Sequence, residues 1–361
     1  MTVVSTVMVH QLITPPKKRR EDLTILEVGD DRVTFARDAE IGVPGRYGLW
    51  VGDSVVKLGG IVQETLGTVT RAAPAQTVAA IRGRRHAALS GNWLLEPEEL
   101  DEPFEEVLVQ TPLGPAPAWV VGDQGADTWC IQVHGRATTR REVLRGIPAF
   151  AKRGIPCVAI SYRNDGEAPR SKDGRYRLGF DEWHDVDAAI EVALSRGAKR
   201  IIVMGWSMGG AIALKLARKS KFRRKIAGIV LDSPVARWAP TLKLQTGALG
   251  LPVSLVHTAT RLLESPAAKL AGGEALRLDD LDSVRHAAAY TAPILLLHSV
   301  DDGFVPPEGS REFAQARPDI VEYREWHTAL HTKLWNLDPE RYEQEIGEWL
   351  DAHGLTAGRP E

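Results

Sequence analysis

The sequence predicts an α/β protein in which helices cover both faces of a mostly parallel sheet, preceded by a small β-rich region. After about residue 105, near-continuous apolar runs alternate with segments whose apolar residues recur at helical spacing. Strands that are apolar throughout are typical of a parallel sheet that is buried on both faces. Before that residue, shorter alternating runs are separated by glycine and aspartate turns such as Gly52-Asp53.

The N-terminal region, residues 1–104, is predicted to be β-rich, and its role is unknown. A helical linker over Thr77–Arg85 and an acidic stretch, Glu96–Glu106, lead out of it. The absence of a repeat of fixed period argues against a propeller or a solenoid. The alternating runs predict strands at Leu23–Val28, Arg32–Ala36, Arg46–Val51 and Ser54–Gln63.

The second region, residues 105–361, carries the alternating strands and helices. Its predicted strands are Trp129–Val133, Cys157–Ser161, Ile201–Met204, Ile226–Leu231, Pro293–His298 and Ile320–Arg324. Its predicted helices are Arg140–Lys152, Asp181–Arg196, Met208–Lys219, Pro306–Ala316 and Pro339–Ala352. Residues 236–290 interrupt the alternation with helical patterns at Leu242–Leu249, Pro252–Leu263 and Asp279–Ala289. Because long ordered insertions are commonly lids, these residues are predicted to form a helical cap.

Charge and cysteine content exclude several functional classes. Lys and Arg number 45 against 47 Asp and Glu, so no charge excess indicates a nucleic-acid partner. Two cysteines are too few for a disulfide scaffold or a cysteine-only zinc site. No apolar run reaches the ~18 residues of a membrane span. The basic run Lys17–Arg20, expected to be a solvated tail, follows the apolar N-terminal residues, which is the reverse of a secretion signal. We therefore predict a cytoplasmic protein.

A G-x-S-x-G motif centred on Ser207 lies between the apolar strand Ile201–Met204 and the helix Met208–Lys219. This context is the one that a nucleophile elbow requires. Gly205 and Gly209 lack Cβ atoms, so the strand and the helix can approach closely. The serine hydroxyl is then exposed at the end of the strand, above the free N–H groups of the helix. Ser207 is the predicted nucleophile.

A serine nucleophile needs a base, and this arrangement places an acid and then a histidine after later strands. Asp301 and Asp302 follow the strand Pro293–His298, and Asp232, which follows Ile226–Leu231, is an alternative acid. His327 and His331 follow Ile320–Arg324, and the longer loop favours His331. The spacing of the two histidines also resembles that of helical zinc ligands. The general-base glutamate of that motif and a third ligand are absent, so we predict neither a metal nor an organic cofactor.

The oxyanion hole is predicted to consist of two backbone N–H groups, those of Met208 and Arg136. Gly135 permits a tight turn in the loop that carries Arg136. His134 ends a strand beside this loop and is expected to brace it, and His298 has the same structural interpretation. Other pocket candidates are Trp206, beside the nucleophile, and Arg163, in a loop after the strand Cys157–Ser161. Each residue also has a purely structural interpretation: Trp206 could pack under the elbow, and Arg163 could form a salt bridge.

At these residues the sequence resembles the α/β-hydrolase superfamily, from about residue 105 to residue 353. The family pattern D-x-x-V-P falls on Asp302, and the variant H-x-x-x-W-N falls on His331. The resemblance also rests on His134-Gly135 and on Gly205-Trp206-Ser207-Met208-Gly209-Gly210. More closely, the chain resembles bacterial hydrolases with an extra N-terminal region, through Ser161-Tyr162-Arg163-Asn164-Asp165, Leu178-Gly179-Phe180-Asp181-Glu182-Trp183 and Leu231-Asp232-Ser233-Pro234.

The resemblance implies a serine hydrolase of the esterase or lipase type, acting on a small-molecule acyl substrate through a Ser207–Asp302–His331 triad. The leaving group is left open, so a peptidase or a thioesterase with the same triad is an alternative. A catalytically inactive binding protein is a second alternative, because the fold hosts such proteins. The N-terminal region is a candidate for self-association into a homo-oligomer.

Overall fold

The computed structural model describes residues 2–16, 19–248, 250–252 and 254–357, and its strands belong to two separate sheets. The strands are β1 (Leu23–Val28), β2 (Arg32–Ala36), β3 (Tyr47–Val51), β4 (Ser54–Leu58), β5 (Ile61–Glu64), β6 (Thr68–Ala72), β7 (His86–Ser90), β8 (Phe104–Thr111), β9 (Gly114–Val121), β10 (Thr128–Val133), β11 (Cys157–Ile160), β12 (Arg200–Trp206), β13 (Ile226–Asp232), β14 (Ile294–Ser299) and β15 (Val321–Trp326). The helices are α1 (Thr2–Ile13), α2 (Ala75–Ile81), α3 (Ile147–Ala151), α4 (Trp183–Ser195), α5 (Met208–Lys219), α6 (Trp238–Ala248), α7 (Ser254–Leu263), α8 (Glu308–Ala316), α9 (Leu334–Leu337) and α10 (Pro339–Ala352).

The first sheet is antiparallel, with the strand order β4-β3-β7-β1-β2-β6-β5. Alternate residues such as Val33, Phe35 and Leu49 are fully buried in a core of its own. The predicted strand Ser54–Gln63 is two strands, because Gly59-Gly60 separates β4 from β5. The predicted linker helix ends early, at Ile81, and the chain returns to the sheet as β7.

A helix that the sequence did not predict precedes the Lys17–Arg20 run, which was expected to be a solvated tail. Residues Thr2–Ile13 form a helix, α1, that packs on the second region rather than on the first sheet. Arg19 donates a hydrogen bond to the carbonyl of Ala137 at 2.9 Å, and its guanidinium lies over the ring of Trp50. Lys17 and Lys18 lie outside the described residues. Arg19 is therefore a contact between the two regions.

The second sheet has the order β15-β14-β13-β12-β10-β11-β9-β8, and β10 to β15 are parallel. This confirms the predicted α/β architecture. The hairpin β8–β9 adds an antiparallel edge that the sequence analysis did not predict. It begins at Phe104, one residue before the predicted division of the chain.

Both faces of the second sheet are buried, as its apolar strands predict. In β12, Ile201 and Val203 pack towards α4 and α5, whereas Ile202 and Met204 pack towards α3 and α10. The chain leaves β10 for β11 on one side and then crosses to β12 on the other. The carboxyl ends of β10 and β12 therefore border the crevice in which ligands bind on such sheets.

Two segments predicted as helices are shorter turns. Arg140–Gly146 is a 3₁₀ helix that continues as α3, where Pro148 fits the first helical turn. The segment predicted over Asp279–Ala289 consists of 3₁₀ turns at Leu278–Leu281 and Ala287–Ala289. Between β13 and β14 the described residues contain α6, α7 and such turns but no strand. That this segment acts as a cap stays a prediction.

Candidate active site

Ser207 lies at a sharp turn between β12 and α5, with φ +51° and ψ −116°. Three glycines make the turn possible because side chains would collide there. A Cβ atom on Gly205 would lie 2.4 Å from the carbonyl oxygen of Gly209, and one on Gly209 would lie 2.2 Å from that of Val133. A Cβ atom on Gly210 would lie 2.6 Å from the ring of Pro234. Backbone bonds to Asp232 and Val235 hold the turn.

A chain of hydrogen bonds connects the serine to an acid. Nε2 of His331 lies 2.8 Å from Oγ of Ser207, and Nδ1 of His331 lies 2.7 Å from Oδ2 of Asp302. The carboxylate only accepts, so Nδ1 carries the proton and Nε2 is left free to accept from the serine hydroxyl. The structure thus brings together the three residues that were predicted from the sequence, and each of them follows a different strand.

The alternative acids and the alternative histidine are engaged elsewhere. Asp301 accepts a hydrogen bond from the backbone N–H of Thr328 at 2.6 Å, and the side chain of His327 is 68% exposed. Asp232 is buried and accepts from the hydroxyls of Ser233 and Tyr342. Burial raises the pKa of Asp232 to about 6, although these hydroxyls favour its ionised form. Asp232 therefore supports the elbow from below without contacting His331.

Besides His331, several other groups form hydrogen bonds with the Asp302 carboxylate. Oδ1 accepts from the backbone N–H groups of Phe304 and Val305, both at 2.8 Å, and Oδ2 lies 3.1 Å from Nε2 of His298. Burial alone would raise the pKa of Asp302, but His331 and His298 hold it well below its usual value. Asp302 is therefore ionised at neutral pH and can stabilise a positive charge on His331.

The loop after β10 lies against the nucleophile. A Cβ atom on Gly135 would lie 3.3 Å from Cβ of Ser207, and the N–H of Gly135 donates to the Glu142 carboxylate at 2.6 Å. That bond leaves the next N–H along the loop, from Arg136, as the candidate oxyanion donor. Met208 is the first residue of α5, so its N–H has no acceptor within the helix. The oxyanion assignment stays a prediction.

Arg145 joins this loop to the one that carries His331. Its guanidinium donates to the carbonyl of Thr332 at 2.9 Å and to the side chain of Asn336. It also lies 3.9 Å from the Glu142 carboxylate. The residue after His331, Thr332, has φ +53°, and its N–H donates to Oγ of Ser233. Glu142 and Arg145 were not predicted to belong to the site, because no sequence motif distinguishes them from surface charges.

Three of the four predicted pocket residues are placed elsewhere. His134 is buried, and its Nε2 lies 3.2 Å from the carboxylate of Asp165, so it braces its loop as its structural interpretation held. Trp206 packs beneath the elbow in the core towards α3 and α10. Arg163 forms a bidentate, nearly buried ion pair with Asp185 of α4. None of these three side chains lines the cavity above Ser207, which contradicts their assignment to the pocket and agrees with the structural interpretation that the sequence also gave each of them, whereas Gly135 does line it.

The nucleophile faces a cavity of about 700 Å³ between the two sheets. Ser207 and His331 form its floor, and Val43, Leu89 and Asn92 of the N-terminal region form much of its roof. The N-terminal sheet is therefore part of the site, a role that its sequence does not indicate.

The roof is fastened to the segment that follows His331. Nδ2 of Asn336 donates to the carbonyls of Arg46 and Gly91, at 2.8 and 3.0 Å. Gly45 lies so close that a Cβ atom there would be 2.2 Å from the carbonyl oxygen of Asn336. The buried guanidinium of Arg71 holds the same loop by donating to the carbonyls of Ile41, Val43 and Gly45. The two regions thus meet directly beside the histidine.

Among the described residues, no group of three or more His, Cys, Asp or Glu side chains is placed to hold a metal ion. Within the same residues, every helix is too short or too polar to cross a lipid bilayer.

Comparisons with known proteins agree with the fold. Residues 131–252 match the family described as alpha/beta hydrolase fold, and residues 24–90 match a domain of unknown function. The chain is 23% identical over 271 residues to a monoglyceride lipase of Saccharomyces cerevisiae. The alignment covers 63% of this chain and 86% of the lipase. The bacterial group suggested by the sequence stays a prediction.

Solved structures show the same fold. An esterase of Pyrococcus furiosus aligns with a TM-score of 0.56 and 22% identity, covering 74% of this chain and 96% of the esterase. A puromycin-hydrolyzing peptidase of Mycobacterium tuberculosis aligns with a TM-score of 0.55 and 19% identity, covering 96% of this chain and 55% of the peptidase. The strand order, the nucleophile turn and the matched segment show that the chain has the α/β-hydrolase fold.

Proposed function

We propose that this chain is a serine hydrolase that cleaves carboxylic esters through a covalent acyl-serine intermediate. The observation that carries the proposal is the hydrogen-bonded series from Ser207 through His331 to Asp302, on the floor of a cavity. The similarity to a monoglyceride lipase and to an esterase supports an ester as the substrate.

In the first step, Oγ of Ser207 forms a bond to the ester carbonyl carbon while its proton moves to Nε2 of His331. Asp302 stabilises the resulting imidazolium and keeps the ring in the required tautomer. Collapse of the tetrahedral intermediate breaks the bond to the leaving oxygen, which takes the proton from His331 as it departs. The carbonyl oxygen becomes negatively charged in between, and the N–H groups of Met208 and Arg136 are the proposed donors to it.

In the second step, water attacks the acyl-enzyme while His331 accepts one of its protons. The bond between Oγ of Ser207 and the acyl carbon then breaks, and the same proton returns to Ser207. The products are the carboxylic acid and the free enzyme. The proposed chemistry is complete with the residues of this chain.

Amide cleavage is a second candidate, favoured by one observation. The structural similarity to the puromycin-hydrolyzing peptidase extends over 96% of this chain, which includes the roof as well as the hydrolase sheet. A roof of this kind restricts which substrates reach the serine, whatever their leaving group.

A panel of p-nitrophenyl esters, acyl thioesters and aminoacyl anilides tests both candidates, with the Ser207→Ala variant as the control. We expect ester turnover by the wild type alone. Turnover of anilides but not of esters would favour the peptidase. No turnover of any member would favour a binding protein. The proposed self-association through the N-terminal region is a separate question, and sedimentation of the full chain would show whether it forms an oligomer at all.

A further inference from the structure

The N-terminal helix α1 packs on the segment between β13 and β14. Val9 and Ile13 are buried in the same core as Ala259 and Leu263 of α7. Nδ1 of His10 lies 2.9 Å from the carbonyl of Ala271, which follows α7 in the chain. The helix is thus a fixed wall of the hydrolase region, although the first sheet separates the two in sequence.

The loop of the candidate oxyanion hole holds the end of this helix. The Arg136 guanidinium donates to the carbonyls of Gln11, Leu12 and Thr14, at 2.6, 2.8 and 3.2 Å. The last carbonyls of a helix have no partner within it and carry partial negative charge, so a cation there is stabilising. Arg136 therefore connects α1 to the residues that border Ser207.

A second cavity, of about 200 Å³, lies between α1, α6 and α7. Its apolar walls include Met8 and Leu12 of α1, Leu242 of α6, and Val256 and Ala259 of α7. Arg136 and Phe304 line both this cavity and the one above Ser207. The centre of the Phe304 ring is 5.0 Å from that of His331, so the apolar cavity begins beside the histidine.

We propose that this cavity binds the hydrocarbon chain of the acyl group that Ser207 carries, and that α1 sets the length of chain accepted. The inference rests on the proposed esterase function and specifies its substrate as a medium-chain acyl ester.

Three of the four polar side chains in the cavity wall have hydrogen-bond partners within the protein, and the fourth, Gln11, is exposed. Thr246 donates to the carbonyl of Leu242 at 2.6 Å, and Gln245 lies 3.5 Å from the carbonyl of Phe304. The Arg136 guanidinium is engaged with α1. The remaining surface suits an apolar ligand, because a polar one would lose its water without gaining hydrogen bonds.

The volume of the cavity limits the number of carbon atoms that the acyl group can have. A cavity of roughly 150 Å³ accommodates benzene, with its six carbon atoms. A space of about 200 Å³ therefore holds on the order of eight carbons, and an octanoyl chain is the expected fit.

The test compares kcat/KM values of p-nitrophenyl esters of different chain length in two pairs of variants, and the first pair uses the octanoate and acetate esters. Ala259→Leu fills the cavity, and its control, His257→Leu, places the same side chain on the exposed face of α7. We expect Ala259→Leu to lower the octanoate-to-acetate ratio by about tenfold or more, since a pocket discriminates a methylene by about that factor. The control should keep the wild-type ratio.

The second pair acts in the opposite direction and lies on α1 itself. Met8→Ala enlarges the cavity, whereas Val7→Ala truncates a half-exposed neighbour that does not line it. We expect Met8→Ala, but not Val7→Ala, to raise the ratio of dodecanoate to octanoate hydrolysis by about threefold or more. This variant also tests the proposal if Ala259→Leu fails to fold.

Different results would overturn the acyl cavity and the esterase function. Unchanged chain-length ratios in both variants, with wild-type turnover of the acetate ester, would overturn the acyl cavity and leave the esterase function intact. A wild type that cleaves neither ester, under conditions in which it is folded, would overturn the esterase function and with it the acyl cavity.

Discussion

His298 and Asp302 form a buried hydrogen bond of 3.1 Å between Nε2 and Oδ2, the oxygen that also accepts from the histidine of the site. The hydroxyl of Ser310 lies 2.8 Å from Nδ1 of His298, and Nε2 also lies 3.1 Å from the carbonyl of Val305. Both partners of Nε2 only accept, so Nε2 of His298 donates, and the held ring restrains the carboxylate on the side away from the cavity. We assign it as a positioning residue that acts through Asp302.

Replacing His298 should impair catalysis without abolishing it. The His298→Asn variant loses the donor to Oδ2, so the pKa of Asp302 rises and its carboxylate is less well held. We expect kcat to fall about 10- to 100-fold and the acid limb of the pH–rate profile to move to higher pH. A purely structural role predicts a lower folded fraction with an unchanged pH profile, so the profile discriminates between the two.

The two histidines of the loop after β15 should behave differently. His331→Ala removes the base, and we expect kcat for an ester to fall by about 10⁴-fold or more. His327→Ala changes an exposed side chain and should retain most of the activity. Steady-state kinetics of the two variants decide the assignment, which a loss confined to His327→Ala would reverse.

Gly45 offers a test of the contact between the two regions. The Gly45→Ala variant places a methyl group 2.2 Å from the carbonyl oxygen of Asn336, at a position where φ is +114°. We expect a loss of more than about 2 kcal/mol in the free energy of unfolding. Ester turnover should also fall, because Asn336 closely follows His331.

The matched control for that variant is Gly60→Ala in the same sheet, where an added Cβ meets no atom within 4 Å. Urea unfolding and an ester assay of both variants complete the experiment. Equal behaviour of the two variants would contradict the proposed role of the contact.

The buried carboxyl of Asp232 predicts a pH-dependent effect on stability. Its folded pKa of about 6 exceeds its unfolded value, so the folded state binds the proton more tightly and wild-type stability falls as the pH rises from about 4 through 6. The Asp232→Asn variant cannot ionise. Relative to the wild type, it should therefore gain about 2 kcal/mol in unfolding free energy between pH 4 and pH 8. Urea unfolding at both pH values measures this change, and a pH-independent difference would refute it.

The parts of the fold with strong periodicity were predictable from the sequence. The helices α5 and α10 have the predicted bounds, and β10 to β15 lie within one or two residues of theirs. These elements are buried on one or both faces, so their apolar spacing reports their geometry directly. The order of serine, acid and histidine after successive strands was predictable for the same reason, because parallel strands bring their carboxyl ends together.

The features that the sequence did not predict depend on contacts between distant segments. Nothing local in Thr2–Ile13 indicates that this helix packs on α7 or that Arg136 holds its end. The hairpin β8–β9 was obscured by exposed glutamates such as Glu105 and Glu106, which face water at the edge of the sheet. Roof residues such as Val43 and Leu89 are ordinary apolar residues of the first region. Their position in the site follows only from how that region docks.

The most direct test of the central claim is the intact mass of the full chain after treatment with a fluorophosphonate, beside the Ser207→Ala variant. The probe requires an activated serine but no knowledge of the natural substrate. We expect a single adduct on the wild type, because His331 accepts the serine proton, and no adduct on the variant. A folded wild type without an adduct, or an adduct that persists in Ser207→Ala, would contradict it.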